Sequence, residues 1–228
     1  MPKQNTVKTY ISGGIYHIYN RGVEKRDIFM DNQDYKVFLR FLKDILTPPL
    51  DSKHISKDFT LKGSTFKGIP RQPLNLYKQI ELLSYCLMPN HFHLLIKQNS
   101  EKVIKQFMHS LSTRYSMYFN KKYKRVGSLF QGIYKAILVM EENYLLHLSR
   151  YIHLNPLKYT QDLTNTYSSY SEYLGKRKTN WLNTEIILSY FGSDLINKKD
   201  ISSYKEFVEK FKDDSTSILG KLKLEDEN

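Results

Sequence analysis

At 228 residues the chain is long enough for one sizeable domain with additions around a real core. Its single cysteine, Cys86, excludes an internal disulfide and a zinc site built from cysteines. No apolar run reaches membrane-spanning length, and the opening MPKQNTVKTY lacks the apolar core of a signal peptide. The formal net charge is +12, from 35 Lys and Arg against 23 Asp and Glu. Residues 197–228 hold seven Lys and eight acidic residues, net −1, so the first 196 carry +13. These features predict a cytoplasmic protein with a polyanionic partner and no membrane. The 18 Tyr and 12 Phe, many interleaved with cations, suit unpaired bases and phosphates. A biased base composition that inflates Lys, Asn, Tyr and Ile is the competing explanation, and nucleic acid is favoured over it.

In chain order, Gly14 to Gly22 alternates and ends in glycine, predicting a first strand. His17 lies inside it, as a hydrogen-bonded strand residue in preference to a ligand. Asp31 to Leu46 reads as an amphipathic helix on Tyr35, Phe38, Leu39, Leu42, Ile45 and Leu46, with Asp31 as N-cap and Pro48-Pro49 as stop. Residues 47–77, rich in Pro, Gly, Lys and Arg, read as a long basic insertion loop with room for a short hairpin. Gln79 to Leu87 and His91 to Lys97 predict two strands joined by a tight Pro89-Asn90 turn.

On the second of these strands, His91 and His93 are two residues apart and project to one face, with Phe92 on the other. Two parallel imidazoles can grip one divalent cation. Two ordinary polar residues on a solvated face would give the same pattern.

Glu101 to about Lys122 is the next predicted helix, with Ile104, Phe107, Leu111, Tyr115 and Tyr118 as its apolar stripe. It runs into Lys121-Lys122-Tyr123-Lys124-Arg125-Val126-Gly127, a backbone clamp for nucleic acid or simply a solvated charge run. A strand over Tyr134 to Met140 and a helix from Glu141 to near Asn155 follow, the helix ended by Pro156. Tyr151 and Asn155, four apart, share a face of it, with His147 one turn earlier. Beyond lie a packed loop at 167–170 and short helices over Trp181 to Phe191 and Tyr204 to Phe211.

The order strand, helix, strand, strand, helix, strand, helix predicts an α+β, ferredoxin-like (RRM-like) antiparallel sheet with helices on one face, plus a helical C-terminal extension. The domain division expected is 1–175, with 47–77 as insertion, then 176–215 as a small helical extension and 216–228 as a disordered charged tail.

Four stretches, Tyr16-His17-Ile18-Tyr19-Asn20-Arg21-Gly22, Tyr85-Cys86-Leu87-Met88-Pro89-Asn90-His91-Phe92-His93-Leu94-Leu95, Gly127-Ser128-Leu129-Phe130-Gln131-Gly132-Ile133-Tyr134-Lys135 and Arg150-Tyr151-Ile152-His153-Leu154-Asn155-Pro156, together resemble the HUH single-tyrosine transposases, in particular the REP-associated tyrosine transposase branch. The resemblance covers about residues 10–175. It departs at Ile133, where the family usually has Arg, and in the length of the insertion. It implies cleavage and rejoining of single-stranded DNA, at hairpin-flanked sites, through a 5′-phosphotyrosine link and a free 3′-OH. On the matching positions it implies Tyr151 as nucleophile and His91, His93 and Asn155 as ligands of Mg²⁺ or Mn²⁺. Apart from the resemblance, the shared helix face offers His147 as a ligand that would replace or supplement Asn155. Arg21, Lys121, Lys122, Lys124, Arg125 and Lys135 are the expected nucleic-acid contacts. The protein is expected to be prokaryotic and nucleoid-associated, a monomer or homodimer.

Tyr115 is the rival nucleophile, but its place on the apolar stripe assigns it to the core. The competing function is a non-catalytic, RRM-like binder of single-stranded DNA or RNA. The intact His-Phe-His pair with Tyr151 and Asn155 favours the enzyme.

Overall fold

The computed structural model describes residues 10–49, 51, 55–192 and 204–210. The expected 216–228 tail lies outside the described residues. Strands β1 (Ile15–Arg21), β4 (Ile80–Met88), β5 (His91–Gln98) and β6 (Lys135–Val139) form one antiparallel sheet in the order β4-β5-β1-β6. This is the split βαβ arrangement of the ferredoxin-like fold, with β1 in the centre beside the histidine strand. Strands β2 (Lys57–Leu61) and β3 (Ser64–Gly68) pair only with each other and make the insertion a hairpin.

Helices α1 (Asn32–Leu46) and α2 (Val103–Lys122) cover one face of the sheet. Asp31 caps α1 by accepting from the Gln33 and Asp34 amides, and Asp34 returns a carboxylate to the Met30 and Asp31 amides. Val37, Phe38, Leu42 and Ile45 of α1 meet Ile104, Phe107, Leu111 and Tyr115 of α2 over Tyr16, Ile18, Phe92, Leu94 and Ile96. The register of β4 slips between Leu82 and Ser84, so Leu82 and Tyr85 both face this core although three residues apart.

A second core fills the opposite face. Helix α3 (Glu142–Leu154) lays Leu145, Leu148 and Ile152 onto Leu83, Cys86, Met88 and Leu95. The short α4 (Tyr170–Tyr173), then α5 (Glu185–Gly192) and α6 (Tyr204–Glu209), pack around α3, with Ile187, Tyr204 and Val208 in the same core. The histidine face is therefore roofed by α3 and the C-terminal helices. No helix among the described residues is long and apolar enough to cross a membrane.

The β4–β5 turn is held from outside. Ile28 and Phe29 donate backbone N–H groups to the Pro89 carbonyl, and Gly22 donates to the Asn90 carbonyl. A Cβ on Gly22 would lie 2.1 Å from the Arg26 carbonyl oxygen, so only glycine admits this close approach.

Candidate active site

The sheet register brings three strand positions together. His93 sits opposite Tyr19 of β1, and His91 opposite Arg21. Residues 17, 19 and 21 share a face by strand alternation, so His17, Tyr19 and Arg21 line the side that carries both histidines. His17 and His93 are fully buried, and His91 is half-buried. Their rings are stacked, His17 on His93 at 5.1 Å and 13°, and Tyr19 on His17 at 5.0 Å and 29°. The His91 ring stands perpendicular to that of His93, with centroids 5.1 Å apart.

Hydrogen bonds fix how the imidazoles present themselves. Asn90 Nδ2 donates to the Lys25 carbonyl, 3.3 Å, which turns its Oδ1 toward His91. That oxygen can only accept, so His91 Nδ1 carries a proton and donates to it at 2.6 Å. The lone pair of neutral His91 is then at Nε2. His93 Nδ1 lies 2.9 Å from His17 Nε2. When His93 is the donor in that bond, its lone pair is at Nε2 as well. Holding the far nitrogen of a ligand histidine is the recurrent way proteins set its tautomer. The hydrogen bond expected of His17 is present, and its partner is one of the two candidate ligands.

Tyr151, half-buried on α3, points its ring edge-on at this group, 5.5 Å from the His93 centroid at 85° and 6.5 Å from His17 at 82°. Pro156 cannot continue the helical ladder. The chain tightens there into a 3₁₀ turn over Asn155–Lys158, and both the backbone N–H and the Nδ2 of Asn155 donate to the Tyr151 carbonyl. Asn155 is 5% exposed and is joined to Tyr151 through this cap.

Other candidates divide. Tyr115 is fully buried and donates its hydroxyl to the Ile28 carbonyl at 2.6 Å, and burial pushes its pKa far up. His147 does not accompany Tyr151: its ring pairs with Arg150 and sits 5.9 Å from Phe207 of α6. His153 is buried between Tyr204 and Ser169. Lys135 is exposed at the edge strand, with its ammonium 5.6 Å from the Tyr19 ring centroid, and Arg21 Nε donates to Gln131 Oε1. Both lie beside the histidines.

Lys121 and Lys124 are exposed at the end of α2, and Arg125 stacks over Phe119. Lys122 differs from the expectation of a free nucleic-acid contact. Its ammonium is 2.7 Å from both an Asp31 and an Asp34 carboxylate oxygen, and the Asp34 side chain is fully buried. A buried carboxylate needs its cation, so Lys122 is held as a structural residue.

The family profile described as "Transposase IS200 like" matches residues 69–155. The match covers less than half of the chain. The matched stretch runs from the approach to β4 through α3, and so contains His91, His93, Tyr151 and Asn155. His17, Tyr19 and Arg21 lie ahead of it. Among solved structures, the chain is similar to a REP-associated tyrosine transposase bound to a REP hairpin, with 11% identity and a TM-score of 0.48 over 77% of this chain and 92% of that one. It is also similar to a candidate transposase from Deinococcus radiodurans R1, with 17% identity and a TM-score of 0.36 over 67% and 95%. No curated protein matches the chain.

His17, Tyr19 and Asn90 are the members of the site that were not assigned to it from sequence. The strand parity of 17, 19 and 21, together with the ferredoxin-like rule that the first strand neighbours the third, was the available signal.

Proposed function

We propose that this chain, transposase-type by its family segment, cleaves and rejoins single-stranded DNA with Tyr151 as the nucleophile, at hairpin-flanked sites as in the REP-associated branch. The observation that carries this reading is the edge-on approach of Tyr151 to His93, whose Nδ1 is already engaged by His17.

The donor set fits a divalent cation. With His91 donating to Asn90 and His93 donating to His17, both lone pairs lie at Nε2, the atom that would bind a cation. Among the described residues no three His, Cys, Asp or Glu side chains are grouped so as to hold a metal. As a third protein ligand, the amide oxygen of Asn155, one turn after Tyr151, suits a hard cation. A bound Mg²⁺ or Mn²⁺ would neutralise charge on the phosphate and stabilise the departing oxygen.

The chain's own groups do the rest. The Tyr151 oxygen attacks phosphorus and gives up its proton. The bond from phosphorus to the 3′-oxygen breaks, and that oxygen takes up a proton to leave as a 3′-OH. The phosphate remains on the tyrosine as a 5′ ester, and attack by a 3′-OH reverses the sequence without an energy-rich cofactor. The roof of α3 holds the phenol against the sheet, which replaces a bimolecular encounter by fixed geometry. Arg21 and Lys135 flank the histidines and supply positive charge for the phosphates on either side of the cut.

The test is direct. Single-stranded oligonucleotides containing a hairpin and flanking bases are incubated with the protein and Mn²⁺, then run on a denaturing gel. A covalent protein–DNA band that disappears with EDTA is expected. Binding of the same strands with no adduct under any divalent ion would establish the non-catalytic binder instead.

A further inference from the structure

The β2–β3 hairpin takes no part in the site described above. Its turn is Lys62-Gly63, with φ of 49° and 84°, the two-residue geometry whose twist matches a hairpin. Strand alternation then splits its side chains. Phe59 pairs with Phe66 and Leu61 with Ser64 on one face; Thr60 pairs with Thr65 and Asp58 with Lys67 on the other. The polar face is closed by a hydroxyl contact of 3.3 Å between Thr60 and Thr65.

The other face is apolar and open. Phe59 is 37% exposed, Phe66 50%, Leu61 64%, and Ile69, just past the hairpin, 55%. The two phenyl rings lie nearly parallel, 5.9 Å apart at 20°. A Cβ on Gly68 would stand 3.1 Å from the Phe59 ring, so the glycine leaves room for that ring to lie flat across the ribbon. Lys57 shares the ring face, Lys62 sits in the turn and Arg71 follows the hairpin, while Lys67 and the one acid, Asp58, lie on the polar face. A two-stranded ribbon gains little stability by itself, and exposed aromatics grouped on one face of it mark a surface that something covers.

We infer that the Phe59–Phe66 face is a stacking platform for unpaired bases of the DNA strand, with Lys57, Lys62 and Arg71 holding the adjoining phosphates. This rests on the single-strand reading above and gives the insertion its part in it. The charge selects the occupant: over residues 57–71 four cations to one acid repel a second copy of a +12 chain and attract a polyanion. The rings select the form of the polyanion. A phenyl group offers a face and no hydrogen-bonding atom, so it recognises the face of a base, which a duplex hides and a single strand exposes.

The experiment compares wild type with Phe59→Ala/Phe66→Ala and with Phe59→Tyr/Phe66→Tyr. Kd is measured on a hairpin oligonucleotide with single-stranded flanks and on the blunt hairpin alone, and the covalent adduct is measured in parallel. The alanine pair is expected to lose at least roughly fivefold in affinity for the flanked substrate and little for the blunt one, and the tyrosine pair to keep wild-type affinity. Adduct formation at saturating DNA should persist in all three, which shows that the fold and Tyr151 chemistry are intact. Equal loss on both substrates, or no loss, would overturn the proposal. So would a wild-type dimer that the alanine pair converts to monomer, because the face would then be a self-association surface. Absence of adduct in wild type would instead strike the cleavage reading, while the affinity comparison would still decide the platform.

Discussion

His17 Nε2 and His93 Nδ1 share a hydrogen bond of 2.9 Å inside the sheet. The pair has one proton between the two nitrogens. If His93 donates it, His93 Nε2 becomes a ligand atom; if His17 donates, that atom carries the other proton and cannot bind a cation. At the proposed metal site His17 would therefore be a positioning residue for His93. His17→Ala is expected to weaken Mn²⁺ binding by about 10- to 100-fold, measured by titration in the presence of DNA. His17→Gln keeps an acceptor and should recover part of the loss. An unchanged metal requirement in His17→Ala would make the contact simple packing.

Two tyrosines compete for the nucleophile's role, and their surroundings separate them. Tyr151→Phe removes one oxygen from a half-buried ring, so folding and DNA affinity should persist while the adduct vanishes. Tyr115→Phe removes a hydroxyl that donates to the Ile28 carbonyl. It should lower stability by about 1–2 kcal/mol and keep the adduct. Mass spectrometry of the trapped peptide places the nucleotide. Finding it on Tyr115 would reverse the assignment.

Much of this arrangement was legible before the fold. Alternation marked β1, β4 and β5, three- and four-residue spacing marked α1 and α2, and Pro156 marked the end of α3. Tyr115 was assigned to the core by the stripe it shares with Ile104, Phe107 and Leu111, and there it lies. What stayed hidden depends on pairing across the chain. The bond from His17 to His93 spans 76 residues and follows only once β1 is known to neighbour β5. His147 and Tyr151 share a helical spacing, yet the ring of His147 turns to Phe207, because α6 covers that side of α3. Lys122 looked like one more cation in a basic run. Its acids lie at Asp31 and Asp34, on a different helix.

Lys122 supplies the third prediction. Burial would push the Asp34 carboxyl up, but the Lys122 ammonium, the Met30 amide and the Tyr123 and Tyr118 hydroxyls together hold it below its ordinary value. Lys122→Ala leaves that carboxylate buried without its cation and should cost roughly 3 kcal/mol, read by urea unfolding. It should leave the salt dependence of DNA binding unchanged. Lys121→Ala and Lys124→Ala should do the opposite, with wild-type stability and a log–log salt slope lower by about one each. A reduced slope in Lys122→Ala would mean that the ion pair opens to engage DNA.

The last prediction concerns the clamp that fixes α3 from behind. His153 is fully buried, with Nδ1 2.8 Å from the Tyr204 hydroxyl and Nε2 2.8 Å from Ser169 Oγ, and the Tyr204 hydroxyl also donates to Ser149 Oγ at 3.0 Å. The rings of Tyr170 and Tyr173 enclose it. Burial lowers the His153 pKa from 6.5 to about 3. The folded state thus refuses a proton that the unfolded chain accepts below 6.5. Stability contributed by this ring is complete above that pH and is lost as pH falls toward 3, by up to about 1.4 kcal/mol per pH unit. Denaturation of wild type at stepped pH should show this slope. His153→Gln, which keeps a donor and an acceptor but does not titrate, should start less stable at pH 7 and lose less on acidification to pH 4. The two proteins differ only at residue 153, so the difference between the two curves belongs to it. Parallel curves would mean that His153 charges without leaving its place, and that Tyr204 and Ser169 do not hold it in the neutral form.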